Sequence, residues 1–256
     1  MFRPRIIPVI LIDENGHSVK SIKFRKKIDL GDPVNMVSIF NSFRVDELIL
    51  LDIAATKNKR LISLDLMADI ASEAKMPFAV GGGISTLDDI RKILSTGAEK
   101  VVISTAGLER PEFIREATER FGSSSIVVCI DVQKNFFGIE AVRTRAGTNK
   151  LNISAQKAAL QMEKMGAGEI IIQSINSDGT MNGYNLALTN SIASTVGVPV
   201  IALGGAGCLD DMKEAYAKTQ ASAFASGSLF CFQDSNRGVL INYPSKTQLG
   251  SFRNIR

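Results

Sequence analysis

The chain carries one pattern twice, about 120 residues apart, and that spacing limits what it can fold into. DELILLDIAAT at 46–56 matches GEIIIQSINSDGT at 168–180, so Glu47 and Glu169 stand 122 positions apart. VGGGIS at 80–85 matches LGGAGC at 203–208, which sets Gly81 and Gly204 123 positions apart. RIIPVIL at 5–11 matches IVVCID ending at 131, and makes Asp131 the counterpart of Leu11 at a separation of 120. A repeat of this length is too long for a solenoid unit and too regular for chance. It reads as two halves of one domain, approximately 1–122 and 123–256.

Short β-rich runs recur at 6–11, 47–53, 77–81, 100–104, 125–131, 169–174, 199–203 and 222–227. Most are separated by helical patterns such as STLDDIRKILSTGA and ALTNSIASTVG. Eight β-then-α units predict an α/β fold, a single (β/α)8 barrel over 1–256, with an open doubly wound sheet as the alternative. An apolar content of 45% is enough to fill such a core. The net charge of +4 comes from interspersed acids and bases, which suits an anionic small molecule and argues against a nucleic-acid footprint. His17 is the only histidine, which excludes most histidine-based triads and zinc sites. Cys129, Cys208 and Cys231 are odd in number and scattered, so reduced thiols are expected, with neither disulfides nor a metal site. No run reaches the roughly 18 apolar residues of a membrane span, and the start lacks the pattern of a secretory signal. A cytoplasmic protein with no membrane contact is the expectation.

Each half has a glycine cluster after a strand and before a helix: Gly81, Gly82 and Gly83 in one, Gly204, Gly205 and Gly207 in the other. Glycine there lets the backbone approach an anion and aim N–H groups at it, with the helix N-terminus adding a favourable potential. Each cluster is followed by a hydroxyl segment at the end of the next strand, Ser104 and Thr105 in ISTAG and Gly227 and Ser228 in ASGSLF. Two such arrangements predict two phosphate sites and a phosphorylated small-molecule ligand. The plainer alternative is that the glycines only make tight turns.

RIIPV, GDPV, DELILLDI, VGGGI, GAEKV, IVVCID, GAGEI, SDGTMNGY and GGAG follow one another over nearly the whole chain. By these motifs the chain resembles HisF, the cyclase subunit of imidazole glycerol phosphate synthase. The resemblance implies a (β/α)8 barrel that receives ammonia from a HisH-like glutaminase docked on its N-terminal face and uses it at the other end, on a ligand with two phosphates and with no cofactor or metal. The family's ring closure and cleavage use two opposed aspartates, at the ends of the first and fifth strands, held in different protonation states. Asp131 matches the second. Leu11 occupies the first, and leucine cannot move a proton. Asp13 points the same way but lies roughly 6–7 Å further along the strand, too far for a geometry that tolerates little misplacement. Asp178 in SDGT matches another substrate-facing position, where a turn-forming Asp-Gly would look identical.

Arg5, Glu47, Lys100 and Glu169 match a ring of charges that gates ammonia entry in the family, and a salt-bridge plug closing an apolar core is the plainer alternative. The tail RGVLINYPSKTQL at 237–249, together with Leu11, resembles a paralogous branch encoded with cell-surface polysaccharide genes. In that branch the barrel and its glutaminase supply ammonia to a separate ATP-using amidotransferase, which converts an acetamido group on a nucleotide-linked sugar to an acetamidino group. The expected function is therefore ammonia supply; a histidine-pathway cyclase and a non-catalytic phosphate-binding activator of the glutaminase are the alternatives. The basic segment at 19–33, with Lys20, Lys23, Arg25, Lys26 and Lys27, reads as a solvated surface hairpin, or else as a lid that attracts an anion.

Overall fold

The computed structural model describes residues 3–233 and 238–255. Eight parallel strands, β1 (Arg5–Ile12), β2 (Leu48–Asp52), β3 (Phe78–Gly81), β4 (Lys100–Ile103), β5 (Ile126–Lys134), β6 (Glu169–Ser174), β7 (Val200–Leu203) and β8 (Ala223–Ser226), each pair with the next. β8 returns to β1 through the register Arg5↔Ala223 to Pro8↔Ser226, which closes the barrel. The (β/α)8 fold expected from the repeat is the one observed, and the open sheet is excluded by this last pairing.

The strands form because they are short runs of valine, isoleucine and leucine that can be buried on both faces. Alternate residues fill two separate apolar layers. Ile7, Val9, Ile49, Val102, Val127, Ile171 and Ile201 pack inside the barrel. Ile6, Ile10, Leu48, Leu50, Val128, Ile170 and Phe224 face outward, against the helices. The helices α1 (Pro33–Phe43), α2 (Leu64–Glu73), α3 (Leu87–Ser95), α4 (Pro111–Phe121), α5 (Ala155–Lys164), α6 (Leu186–Ala193) and α7 (Leu209–Lys218) follow strands β1 to β7 in order. Small polar residues start them: Asp32, Ser63, Thr86, Ser154 and Asn185 each accept a hydrogen bond from a first-turn N–H. The repeat reaches even this detail. Asp89 caps α3 by accepting from the Thr86 N–H, and Asp211, 122 positions on, caps α7 by accepting from the Cys208 N–H.

Two antiparallel additions extend the barrel strands. Ser18–Ile22 pairs with the end of β1 and with Lys26–Gly31, and Glu140–Thr144 pairs with the extended β5. The first of these is the hairpin expected at 19–33, but it is only partly solvated: Ser18, Val19, Lys20 and Ser21 on its inner strand are buried, while Lys23, Arg25 and Lys27 meet solvent. After β8 the chain runs back along the barrel, where the Tyr243 hydroxyl donates to the Ile6 carbonyl at 2.8 Å and Phe252 is fully buried. Arg237, the first residue of the tail motif, lies outside the described residues. No helix among the described residues is long and apolar enough to cross a membrane.

Candidate functional site

A cavity of about 600 Å³ opens at the C-terminal ends of the strands. Val9, Leu11, Leu51, Val102, Cys129, Asp131, Gln173 and Leu203 line it from the strands, and the glycine loops complete its wall. The hairpin after β1 adds Lys20, Ser21 and Phe24 to the wall.

β1 and β5 stand half a turn apart in the ring of eight, so Leu11 and Asp131 face one another across the cavity. Leu11 has nothing to titrate. Asp131 is buried, and among the described residues its carboxyl has two distant hydrogen-bond neighbours, the Ser104 hydroxyl at 3.5 Å and the Cys129 thiol at 3.7 Å. Burial pushes its pKa from 3.8 up to about 7, with the negative charge of Asp178 adding to the rise. A carboxyl poised near neutrality can act as an acid or a base, but it works without an opposed partner. Asp13 does not supply one. Its Oδ1 accepts from the Asn15 and His17 N–H groups at 2.9 and 3.0 Å, which closes the turn into the hairpin, and it does not line the cavity.

Lys20 is the residue that sequence reasoning missed. It is 3% exposed, and its ammonium donates to the Val9 carbonyl. Burial lowers its pKa, opposed by the Cys231 thiol and by Asp178. Asp178 ties three elements together: its Oδ2 accepts from the Ser21 hydroxyl at 2.9 Å and its Oδ1 from the Gln173 amide at 3.1 Å. Burial raises its pKa, and these two donors and Lys20 hold it back. Asp178 sits in a turn and also lines the cavity. Lysine buried in a strand leaves one signal in a sequence, a lone charge between strand-forming residues as in SVKSI. Here that signal was masked by four further basic residues.

The glycine loops mirror one another in their contacts. Gly83, at φ +72°, lies so close to the Arg60 carbonyl that a Cβ would collide with it, and Gly205, at φ +119°, stands in the same relation to the Gly183 carbonyl. The Gly82 carbonyl accepts from the Ile62 N–H at 3.1 Å, and the Gly205 carbonyl from the Gly183 N–H at 2.9 Å. Loop packing alone thus demands these glycines. Gly81, Gly82, Gly83, Ser104, Thr105, Gly204, Gly205, Gly227 and Ser228 all line the cavity. Gly207 does not, and its N–H is committed to the Asp211 carboxylate at 2.8 Å. Thr105 Oγ1 accepts from the Arg145 N–H at 2.9 Å, which leaves its own proton free to donate.

At the opposite end the four charges close into a ring in which every member touches both members of opposite sign. Arg5 meets Glu47 at 2.5 Å and Glu169 at 3.2 Å, and Lys100 meets the same two glutamates at 2.9 and 3.1 Å. Glu169, Lys100 and Arg5 open their strands and Glu47 immediately precedes β2, which is why all four project from one end. Burial works against the charge on Arg5, but Glu169 and Glu47 outweigh it and hold the guanidinium above its ordinary pKa. Among the described residues no cluster of three or more histidine, cysteine, aspartate or glutamate side chains could hold a metal ion.

Comparison with known proteins extends the likeness to the whole chain. The model of the histidine biosynthesis protein family matches residues 5–236. A Pseudomonas aeruginosa protein provisionally named imidazole glycerol phosphate synthase subunit hisF2 is 44% identical, over 97% of this chain and 99% of its own length. A Vibrio vulnificus protein provisionally named subunit hisF3 is 42% identical, over 97% and 95%. A Leptospira borgpetersenii protein provisionally named subunit HisF is 41% identical, over 96% and 97%. Identity at this level across a closed eight-stranded barrel shows that the chain belongs to the histidine biosynthesis protein family, as a paralogue on its HisF side.

Proposed function

We propose that this chain is the synthase-type subunit of a glutamine amidotransferase complex, which takes ammonia from a HisH-like glutaminase on its N-terminal face and passes it along the barrel axis. The ammonia serves the amidination of a cell-surface nucleotide sugar by a separate ATP-using amidotransferase. One contrast carries the reading: the acid/base pair of the cavity is reduced to Asp131 facing Leu11, while the charge ring at the other end is complete. A lost acid or base costs about 10²–10⁴-fold in rate, so ring closure is the activity least served by this cavity. Four charges held in a partly desolvated ring are costly to keep where apolar side chains would close a barrel as well, which favours a working gate over a plug. The cavity binds a phosphorylated ligand through Gly81, Gly82, Gly83 and Thr105 on one side and Gly204, Gly205 and Ser228 on the other. Their support is the duplicated placement around one rim. The histidine-pathway cyclase remains the competing reading, and what favours it is the names of the relatives.

The test is amidination in a reconstituted system of barrel, glutaminase and sugar amidotransferase, fed with glutamine or with ammonium. Glu169→Gln, which keeps the shape of the ring and removes one charge, should disturb the glutamine-fed reaction, and external ammonium should bypass the defect. An equal loss from both sources, or from neither, makes the ring a structural plug and overturns the conduit.

A further inference from the structure

Arg145, Ala146 and Gly147 turn the chain through three successive left-handed residues, at φ +53°, +54° and +83°. Glycine adopts this conformation freely, but arginine and alanine do so at a cost, and such a turn persists only where its surroundings impose it. Glu109 imposes it. Its Oε1 accepts from the buried Thr144 hydroxyl at 2.8 Å, from Arg145 Nε at 3.0 Å and from Asn149 Nδ2 at 3.3 Å. Its Oε2 accepts from Arg145 Nη2 at 2.9 Å, so the guanidinium is gripped at two points. Glu109 closes the short helix Thr105–Glu109 that Thr105 opens, and residues four apart share one face of a helix. From the clamped turn the Arg145 N–H donates to Thr105 Oγ1 at 2.9 Å. The hydroxyl has one proton, and among the described residues that proton has no acceptor. Thr105 lines the cavity, as Gly81, Gly82 and Gly83 do, whereas Glu109 does not. The second half lacks the device: Thr105 corresponds to Ser228 at 123 positions, and the same step from Glu109 reaches Phe232, which carries no charge.

We propose that Glu109 is a positioning residue for the first rim site: it locks the strained turn at Arg145–Gly147, so that the Arg145 N–H fixes Thr105 as a hydrogen-bond donor to an oxyanion held at Gly81, Gly82 and Gly83. With one lone pair of the hydroxyl taken, its proton is left for a ligand atom that only accepts, which suits a phosphate oxygen and disfavours a donor such as an ammonium group. The inference rests on the phosphate-site part of the proposed function and adds to it a residue that touches no ligand. It also makes the two rims unequal, since the first depends on an acid that the second does without.

The experiment titrates inorganic phosphate into the isotopically labelled full chain and follows backbone amides by NMR. Gly82 and Gly83 report one rim, Gly204 and Gly205 the other, which gives a Kd for each. Glu109→Ala should raise the first Kd at least ~10-fold, on the scale of one hydrogen bond to a charged group, and leave the second unchanged. The sign is diagnostic, because removing a negative charge and freeing Arg145 would by electrostatics alone tighten anion binding. Thr105→Ala should weaken the first rim to a similar extent, and Glu109→Ala added to it should cost nothing more, because both act through one hydroxyl. Glu109→Gln keeps an acceptor for Thr144, Arg145 Nε and Asn149, and should bind closer to the parent than Glu109→Ala does. A first Kd that is unchanged or lower in Glu109→Ala, an equal loss at both rims, or losses that add in the double variant overturns the inference and leaves the phosphate sites standing. A parent whose Gly82 and Gly83 amides do not respond to phosphate removes the first site, and the inference with it.

Discussion

The carboxyl of Asp131 makes the stability of this protein depend on pH in a direction that can be worked out. Its pKa in the folded chain is about 7 against an ordinary 3.8, because it is buried with only weak hydrogen-bond partners. Between those two values the folded chain keeps a proton that the unfolded chain has lost. Stability therefore falls as pH rises from about 4 to about 7 and is constant in this respect above it. At about 1.4 kcal/mol for each tenfold difference in proton affinity, the full penalty is roughly 4 kcal/mol. Asp131→Asn keeps the shape and removes the charge, so it should match the parent near pH 4 and exceed it at pH 8.5. Between pH 4.5 and 8.5 the advantage of the variant should grow by roughly 3 kcal/mol, which for a chain of this size amounts to an increase in the Tm difference of roughly 7 °C or more. The chain has no tryptophan, so far-UV circular dichroism melts of both proteins across the pH range are the assay. Taking the difference between the two cancels every other titrating group. An advantage of Asp131→Asn that stays flat from pH 4.5 to 8.5 would falsify the claim that burial holds this carboxyl protonated.

Three further outcomes are expected. Given ammonium and the histidine-pathway substrate, the protein should turn over at least ~10²-fold more slowly than a HisF with both aspartates, and turnover at a comparable rate would contradict the reading of Leu11. Gly205→Ala should lower stability by at least ~2 kcal/mol in urea unfolding, because the new methyl meets the Gly183 carbonyl at a φ of +119°; an unchanged midpoint would mean that the loops are not packed as described. Crystals grown in sulfate should hold one anion at Gly81, Gly82, Gly83 and Thr105 and another at Gly204, Gly205 and Ser228, and density at neither rim would remove the phosphate sites from the proposal.

The barrel was readable in the sequence because each strand is a compact apolar run and the glycine turns recur in step. The observed strands start and stop within one to three residues of the expected ones, and β5 runs on to Lys134 because its hairpin partner at Glu140–Thr144 continues the ladder. What could not be read was where charged residues go once they leave the barrel. Lys20 sits among basic neighbours that all look alike in composition, and only the pairing of Val19 with Leu11 turns it into the cavity wall. Glycine motifs were similarly ambiguous. The sequence locates Gly207 beside Gly204 and Gly205, but whether its N–H is spare depends on Asp211, four residues on, which takes it as part of the α7 cap. Arg5, Glu47, Lys100 and Glu169 meet in one ring because residues at the starts of parallel strands, here β1, β2, β4 and β6, share one end of the barrel.

The seam between β1 and β8 has a consequence for synthesis of the chain. The partner of Arg5–Pro8 is Ala223–Ser226, so on a ribosome the first strand waits for almost the entire remainder of the protein before that edge can be paired. At about 5–20 residues per second the wait is roughly 10–40 s. During it, an apolar strand with a free edge is a template for the wrong chain. Pro8, in the middle of that strand, has no N–H to offer, and Arg5 and Arg3 put charge at its start, so the nascent edge is a poor template until its own last strand arrives. Tyr243, bonded to the Ile6 carbonyl from 237 positions away, then fastens the seam from outside only after both halves are complete.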